Sequence, residues 1–430
     1  MKQVKIALLG LGNVGTGVWK ILHFNKTEIV KRCGFDIEIK KILVKDIGKD
    51  RGLDIPQNVL TDNFCDILND DSIEIVIEVI GGAYPALDYM VEAMKKKKHI
   101  VTANKLCIAL HGDKLFDTAL KEEVFLYYEA SVGGGIPIIK QINESLTGNK
   151  IEKIIGIVNG TTNYILSNMT ESNMSFDKAL SLAKEKGFAE ADPTDDIEAF
   201  DAVYKLSIMS SLSFEAPVHP NNILREGITN INTKDIDYAK KFGYVIKLLA
   251  IGALNNNSIE VRVHPTFVPK NHPFANVKDS FNAVYLKGNA VGDLTIYGKG
   301  AGDLPTGSAI VSDLLSILRN NLNYCGINQA RTLNNKLNIL SSDDIESEYY
   351  IRLNVKDKPG IIGDVGTLLG ENNISISLVT QDIQTEDEVD LVFLTQKCKE
   401  KSINSFKDNI KDYLNLNKLE NIIRIENLTN

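Results

Sequence analysis

Val4-Lys5-Ile6-Ala7-Leu8-Leu9-Gly10-Leu11-Gly12-Asn13-Val14-Gly15 is the stretch that decides the fold. Residues 4–9 form a short apolar run, the pattern of a strand buried on both faces. The run passes directly into G-x-G-x-x-G, and residues 17–31 read as a helix. Strand, tight turn and helix start, in that order, are the setting in which these glycines bind a dinucleotide. Gly10 permits the turn, Gly12 lets backbone approach a pyrophosphate, and Gly15 lets the helix pack closely on the strand. Asn13 and Val14 lie at the helix start, where unpaired N–H groups and partial positive charge meet phosphate. A second strand over 37–44 ends at Lys45-Asp46. An acid there would hold a ribose 2′-hydroxyl and a cation would accept a 2′-phosphate, so NAD and NADP both stay open.

Strands over 73–80 and 99–102 follow. The second ends at Ala103-Asn104-Lys105, placing Lys105 at the carboxyl edge of the sheet, where open α/β sheets bind ligands. A strand over 124–128 enters Glu129-Ala130-Ser131-Val132-Gly133-Gly134-Gly135-Ile136-Pro137. Consecutive glycines cost backbone entropy. They mark either a turn whose carbonyls, beside Glu129, hold a hard cation, or a hinge between domains.

From residue 151 the pattern changes. A strand enters Asn159-Gly160-Thr161-Thr162-Asn163 before a helix. Then comes G-F-A-E-A-D-P-T-D-D-I-E-A-F-D-A-V-Y-K, from Gly187 to Lys205. Its acidic loop carries Glu190, Asp192, Asp195 and Asp196. After Pro193-Thr194 the residues read as one apolar helix through Ala199 to Met209. Asp201 and Lys205, four apart, share a face of it. Charges in an apolar helix are paired or used. An isolated pair reads as a structural ion pair; the neighbouring acids shift the balance toward a site. A glycine-rich return at Gly298–Gly302 precedes an apolar helix over 309–318. Residues 331–348 read as a polar linker. Residues 349–430 read as β-α-β-β-α-β, with the last helix over 403–414, which is the ferredoxin-like plan.

The 430 residues suffice for two or three domains, and 43% hydrophobic with 24% charged residues is ordinary for a globular protein. A net charge of −8 disfavours nucleic acid and anionic lipid as partners. The cysteines (Cys33, Cys65, Cys107, Cys325, Cys398) show no C-x-x-C spacing, which speaks against zinc and disulfides and for a reducing cytoplasm. No apolar run reaches membrane-spanning length.

Taken together these motifs resemble the homoserine dehydrogenase family. The most specific match is A-x3-G-F-A-x2-D-P-x2-D-I-x-G-x-D-x3-K, found at Ala183, Gly187-Phe188-Ala189, Asp192-Pro193, Asp196-Ile197, Asp201 and Lys205. Ala199 stands where the family has glycine, and a methyl is readily tolerated inside a helix. The A-N-K, G-G-G-x-P and N-G-T-x-N segments match too, and the C-terminal unit resembles an ACT domain. The resemblance implies an α/β protein. It would have a Rossmann-type dinucleotide-binding domain over 1–130 with 305–330 packing back on it, an α/β catalytic and dimerisation domain over 131–304, and a ferredoxin-like ACT domain over 349–430.

The resemblance also implies roles. Lys205 would exchange the proton of the homoserine hydroxyl, with Lys105 near both nicotinamide and substrate. Glu190 and Asp201, with Asp196 beside them, would hold the substrate. Gly187 and Gly302 would touch the cofactor, NADP or NAD. Glu129 with the carbonyls of Val132, Gly134 and Ile136 would bind a monovalent cation, sodium first. The enzyme would interconvert L-homoserine and L-aspartate 4-semialdehyde as a cytoplasmic homodimer or homotetramer, with threonine as an ACT effector. Since a free lysine titrates near ~10.4, oxidation should speed up as pH rises above neutral. Two other readings stand beside this one. One is a non-catalytic nucleotide-binding amino-acid sensor. The other is a different NAD(P)-dependent dehydrogenase of amino-acid metabolism; a phosphorylating type would use a thiol, for which Cys107 is the nearest cysteine.

Overall fold

The computed structural model describes residues 2–255, 257–323, 328–330, 332–333, 335–385, 387–413 and 415–427. Cys325, Arg331 at the start of the expected linker, and Leu414 at the end of the expected last helix lie outside the described residues. Contacts gather the chain into two units: residues 1–154, 204–221 and 282–336, and residues 155–203, 222–281 and 337–430.

The first unit is built on a parallel sheet of β1 (Lys2–Leu9), β2 (Phe35–Leu43), β3 (Leu60–Thr61), β4 (Ile73–Glu78), β5 (His99–Thr102) and β6 (Leu126–Tyr127). Its order is β3-β2-β1-β4-β5-β6. Ile6, Ala7, Leu8 and Leu9 of β1 and Ile75, Val76 and Ile77 of β4 are fully buried, as central strands covered on both faces require. The order reverses between β1 and β4, which opens a crevice at their carboxyl ends. Helix α1 (Asn13–Phe24) follows β1. The single helix expected over 17–31 is two, because Asn25 (φ −101°, ψ 14°) leaves helical geometry before Lys26–Cys33 begins; asparagine favours caps over helix interiors. Helix α2 (Lys105–Lys121) follows β5. Helix α3 (Phe200–Phe214) belongs to this unit from residue 204 onward. Helix α4 (Asp303–Asn323) packs Ile310, Leu314 and Ile317 into the same core as Ile6, Leu8 and Val18.

The second unit contains a hairpin of β7 (Tyr244–Asn255) and β8 (Ser258–Pro269). It also contains β9 (Glu346–Lys356), the helix Ile361–Glu371, β10 (Ile376–Ile383), β11 (Glu388–Thr395), helix α5 (Glu400–Ile410) and β12 (Leu416–Ile425). The last six elements run β-α-β-β-α-β in the order β12-β9-β11-β10, and their two helices bury Val365, Leu369, Ile403 and Phe406 against the sheet. This sheet does not end at its own boundary. β12 pairs in parallel with β8, Thr266 opposite Arg424 and Phe267 opposite Ile425. β7-β8-β12-β9-β11-β10 is therefore one continuous sheet. Buried ion pairs line the seam: Arg262 between Glu260 (2.7 Å) and Glu426 (2.6 Å), and Arg352 on Asp235 (2.9 Å). Among the described residues no helix is long and apolar enough to cross a membrane.

Candidate active site

The turn after β1 opens on a cleft of about 610 Å³ at the β1/β4 crevice, lined by Gly10, Leu11, Gly12, Lys45, Asp46, Val79 and Gly81 among others. Gly10 takes φ +104°, which only glycine adopts freely, and its N–H donates to the Leu43 carbonyl (3.0 Å). Gly12 has nothing within 4 Å of where a Cβ would stand, so its backbone is open to the cleft, whereas a Cβ on Gly15 would strike the Gly10 carbonyl. Asn13 and Val14 form the first turn of α1. At the end of β2 the structure adds what the sequence reading missed: Lys49, Arg51 and Asp62 line the cleft beside Lys45 and Asp46. Arg51 donates to the carbonyls of Asp46 (2.6 Å) and Lys49 (2.7 Å). The Asp46 carboxylate accepts the Gly48 N–H (2.8 Å), so it braces its own turn. The K-D-I-G-K-D-R cluster was visible in the chain; what hid its role was the fold-back of a loop.

Lys105 is the first residue of α2. Its place is set by Glu78 at the end of β4, a buried residue the sequence reading noted only as part of a strand. Glu78 accepts from the Thr102 hydroxyl (2.6 Å) and the Ile80 N–H (2.8 Å). The Thr102 hydroxyl accepts the Asn104 N–H (2.9 Å), and Asn104 accepts the Cys107 N–H (3.0 Å) while donating to the Gly82 carbonyl (2.7 Å). Burial pushes the Glu78 carboxyl above its ordinary range, against the pull of those donors. The same burial, with Glu78 adding to it, pushes the Cys107 thiol up to about 12. A thiol held in that state is a poor nucleophile at neutral pH, which speaks against the thiol-based alternative.

The Gly133-Gly134-Gly135 turn is not a loose hinge. Gly133 and Gly134 both take positive φ (71° and 54°), and Gly134 lies so close to the Gly300 carbonyl that no Cβ would fit. The Gly135 N–H donates to Lys299 (3.0 Å). The Glu129 carboxylate does not point into solvent: it accepts the N–H groups of Ile139 and Lys140, both at 2.8 Å. Asp313 of α4 accepts the Glu129 N–H (2.8 Å) and pairs with Lys140 (3.0 Å). Burial first, then the Asp313 charge, drives the Glu129 carboxyl up to about 8. The carbonyls of Val132, Gly134 and Ile136 belong to the turn that follows Glu129, and that of Ile136 accepts the Ile138 N–H (3.0 Å). No cluster of three or more His, Cys, Asp or Glu side chains able to hold a metal occurs among the described residues.

In the second unit the acidic stretch folds against the N-G-T-T-N turn. The Asn159 amide donates to Asp196 (2.6 Å) and to Asp201 (2.8 Å), drawing those two carboxylates together. The same side chain accepts the Thr162 N–H (2.8 Å), and the Thr161 hydroxyl donates to the Phe188 carbonyl (2.6 Å). Gly187 (φ +74°) and an exposed Glu190 lie in that loop. The helix expected to run through Ala199 is broken. Thr194–Ile197 ends, Ala199 takes φ +65°, and α3 starts at Phe200. The cause is tertiary. The Ile197 carbonyl, which a continuous helix would offer to residue 201, accepts the Ile228 N–H instead (2.8 Å). Ala199 therefore stands in a left-handed turn and not in a helix, which corrects the expectation that its methyl is simply tolerated. Asp201 falls in the first turn of α3, buried, and Lys205 four residues later on the same helix, half-buried. Gly302 (φ +124°) immediately precedes α4.

Comparison with known proteins gives three family matches. Residues 10–129 match the NAD-binding domain of homoserine dehydrogenase, residues 137–315 its homoserine dehydrogenase domain, and residues 349–411 the ACT domain. The homoserine dehydrogenase of Bacillus subtilis is 38% identical over 429 residues, 99% of each chain. That of Neisseria gonorrhoeae is 38% identical over 437 residues, all of each chain. Among solved structures, a homoserine dehydrogenase from Thiobacillus denitrificans superposes with a TM-score of 0.93 at 39% identity over 99% of both chains. One from S. aureus superposes with a TM-score of 0.78 at 38% identity over the full length of both.

Proposed function

The chain belongs to the homoserine dehydrogenase family, and from that premise we propose how its own residues interconvert L-homoserine and L-aspartate 4-semialdehyde. A nicotinamide dinucleotide, when bound, supplies the hydride acceptor for the alcohol carbon. The chain supplies position and proton transfer. Asp201 and Lys205 are separated by one turn of α3, ~6 Å along the axis, a span comparable to the four bonds between the ammonium and hydroxyl of homoserine. Asp201, with Asp196 and Glu190, holds the ammonium. The Lys205 amine takes the hydroxyl proton in oxidation and returns it in reduction, and Lys105 serves at the nicotinamide end of the site. The observation that carries this reading is the joining of Asp196 and Asp201 through Asn159, one turn before Lys205.

The nucleotide cleft favours NADP. Lys45, Lys49 and Arg51 outnumber Asp46 and Asp62 around it, and the Asp46 carboxylate is engaged with Gly48. The cation, sodium first, is held by the carbonyls of Val132, Gly134 and Ile136, oxygen donors of the kind a hard cation takes; Glu129 braces the following turn instead of serving as a carboxylate ligand. The ACT domain senses threonine.

Steady-state assay of homoserine with each nucleotide tests the reading. Turnover should appear, with a lower KM for NADP than for NAD. Lys205→Ala should lower kcat by about 10²-fold or more with nucleotide binding retained. Absence of homoserine turnover by the native chain, or full turnover by Lys205→Ala, rejects it. Millimolar threonine should slow the native enzyme; equal rates would dismiss threonine as the effector.

A further inference from the structure

Arg424 of β12 is buried on the seam of the second unit. Its guanidinium forms two forks. One runs to Glu226, at 2.8 and 3.0 Å; the other runs to Glu400, the first residue of α5, at 2.7 and 2.9 Å. Glu400 also accepts the Tyr349 hydroxyl (2.7 Å), so the ACT side of the clamp is tied to β9 as well. On the other side, Glu226 opens a short segment that grips the acidic turn. Its N–H donates to Val263 of β8 (2.8 Å), the Ile228 N–H takes the Ile197 carbonyl (2.8 Å), and the Thr229 hydroxyl donates to Glu198 (3.1 Å). Gly227 lies so close to Ile197 and Glu198 that a side chain there would collide with backbone. Arg225 donates to the Glu198 carbonyl and lies over the Phe200 ring, 3.8 Å from its centre. These are the contacts that break the helix at Ala199 and set where α3, with Asp201, begins.

A double bidentate fork holds its partners in one relative geometry far more strictly than a single ion pair does. Glu226 sits two residues before the N–H that takes the Ile197 carbonyl, so a shift of its carboxylate moves the segment that holds the turn. Nothing about a sensor domain requires such a connection to the substrate acids. A tethered domain would need only a linker.

Resting on the reading of Asp196 and Asp201 as substrate acids, we propose that Arg424 is a positioning residue for the reaction: through Glu226 it fixes the left-handed turn at Ala199, and thereby makes homoserine binding depend on the placement of the ACT sheet. The chemistry at Lys205 is untouched by this role, so its signature is a change in homoserine KM and not in kcat.

The test uses the full chain with NADP and Glu226→Gln, a near-isosteric change at a side chain that is 37% exposed and so tolerates neutralisation. Folding is verified by the unfolding midpoint. The expected result is a rise of at least threefold in homoserine KM, with kcat and the KM for NADP within twofold of the native values. Amide exchange over residues 197–202 should be faster by a similar factor. Glu226→Asp, which keeps the charge but shortens the fork, should fall between the two. A folded Glu226→Gln enzyme with native homoserine KM and native exchange over 197–202 overturns the proposal. A native chain that does not turn over homoserine at all overturns the substrate assignment instead, while the exchange measurement still reports on the clamp.

Discussion

Ala199 is where one methyl group separates this chain from its family pattern, and the backbone there (φ +65°) costs an L-residue about 1–2 kcal/mol. Glycine would relieve that strain but would lose a buried methyl, about 0.8 kcal/mol, and would gain unfolded-state entropy. The terms nearly cancel. Ala199→Gly should therefore change the unfolding free energy by less than about 1 kcal/mol, while Ala199→Val, β-branched at positive φ, should cost at least about 2 kcal/mol. Urea denaturation distinguishes them, and equal costs would mean the turn relaxes. Lys247 is the other residue that only the fold explains. It is buried on β7, donating to the Asn163 amide oxygen (3.0 Å) and the Val277 carbonyl (2.6 Å). Burial pulls its amine down to about 8. The unfolded chain then binds more protons than the native one between about pH 8 and the ordinary lysine value near ~10.4. Stability from this group is full above that window and is lost as pH falls through about 8. Lys247→Met should flatten the rise in unfolding free energy between pH 8 and 10.4; a native slope in the variant would show that another group carries it.

At the scale of elements, local pattern and tertiary constraint divide the candidate site unevenly. The strand-turn-helix at Gly10–Gly15 was legible because its glycines answer to contacts within a dozen residues. The start of α2 was not, since Glu78, Thr102 and Asn104 come together across two strands. Asn104→Ala removes the cap of α2 and should cost about 1 kcal/mol of stability. It should also lower kcat/KM several-fold, because Lys105 is the residue the cap orients. Full activity alongside lost stability would detach Lys105 from catalysis. The break before α3 escaped the sequence reading for the same reason: the apolar periodicity continues through Ala199, but a carbonyl captured by Ile228 stops the ladder.

For the whole molecule, the C-terminal β-α-β-β-α-β unit was readable, yet its independence was not. The pairing of β12 with β8, and the buried pairs of Arg262 with Glu426 and Arg352 with Asp235, make it part of a larger sheet. Deleting residues 346–427 would take Arg352 from Asp235, which is fully buried, and leaving that charge uncompensated costs about 3–5 kcal/mol; Arg262 would keep Glu260 but lose Glu426, and the edge of β8 would lose β12. Together these losses take a large share of the stability of an ordinary domain. The shortened chain should be recovered aggregated or unfolded; a soluble, cooperatively folded product with native kcat would refute this. What the sequence determined by itself is whatever depends on neighbours along the chain: the buried strand and its glycine turn, the alternation of the C-terminal unit, the membership read from Gly187 to Lys205. What the tertiary structure decided is every feature in which a polar group is taken up by a distant partner. Ile197 lost its helix to Ile228, Asp196 and Asp201 met at Asn159, and Arg424 took up Glu226, 198 residues away in sequence. A buried polar group must be satisfied, but nothing in the local pattern says by whom.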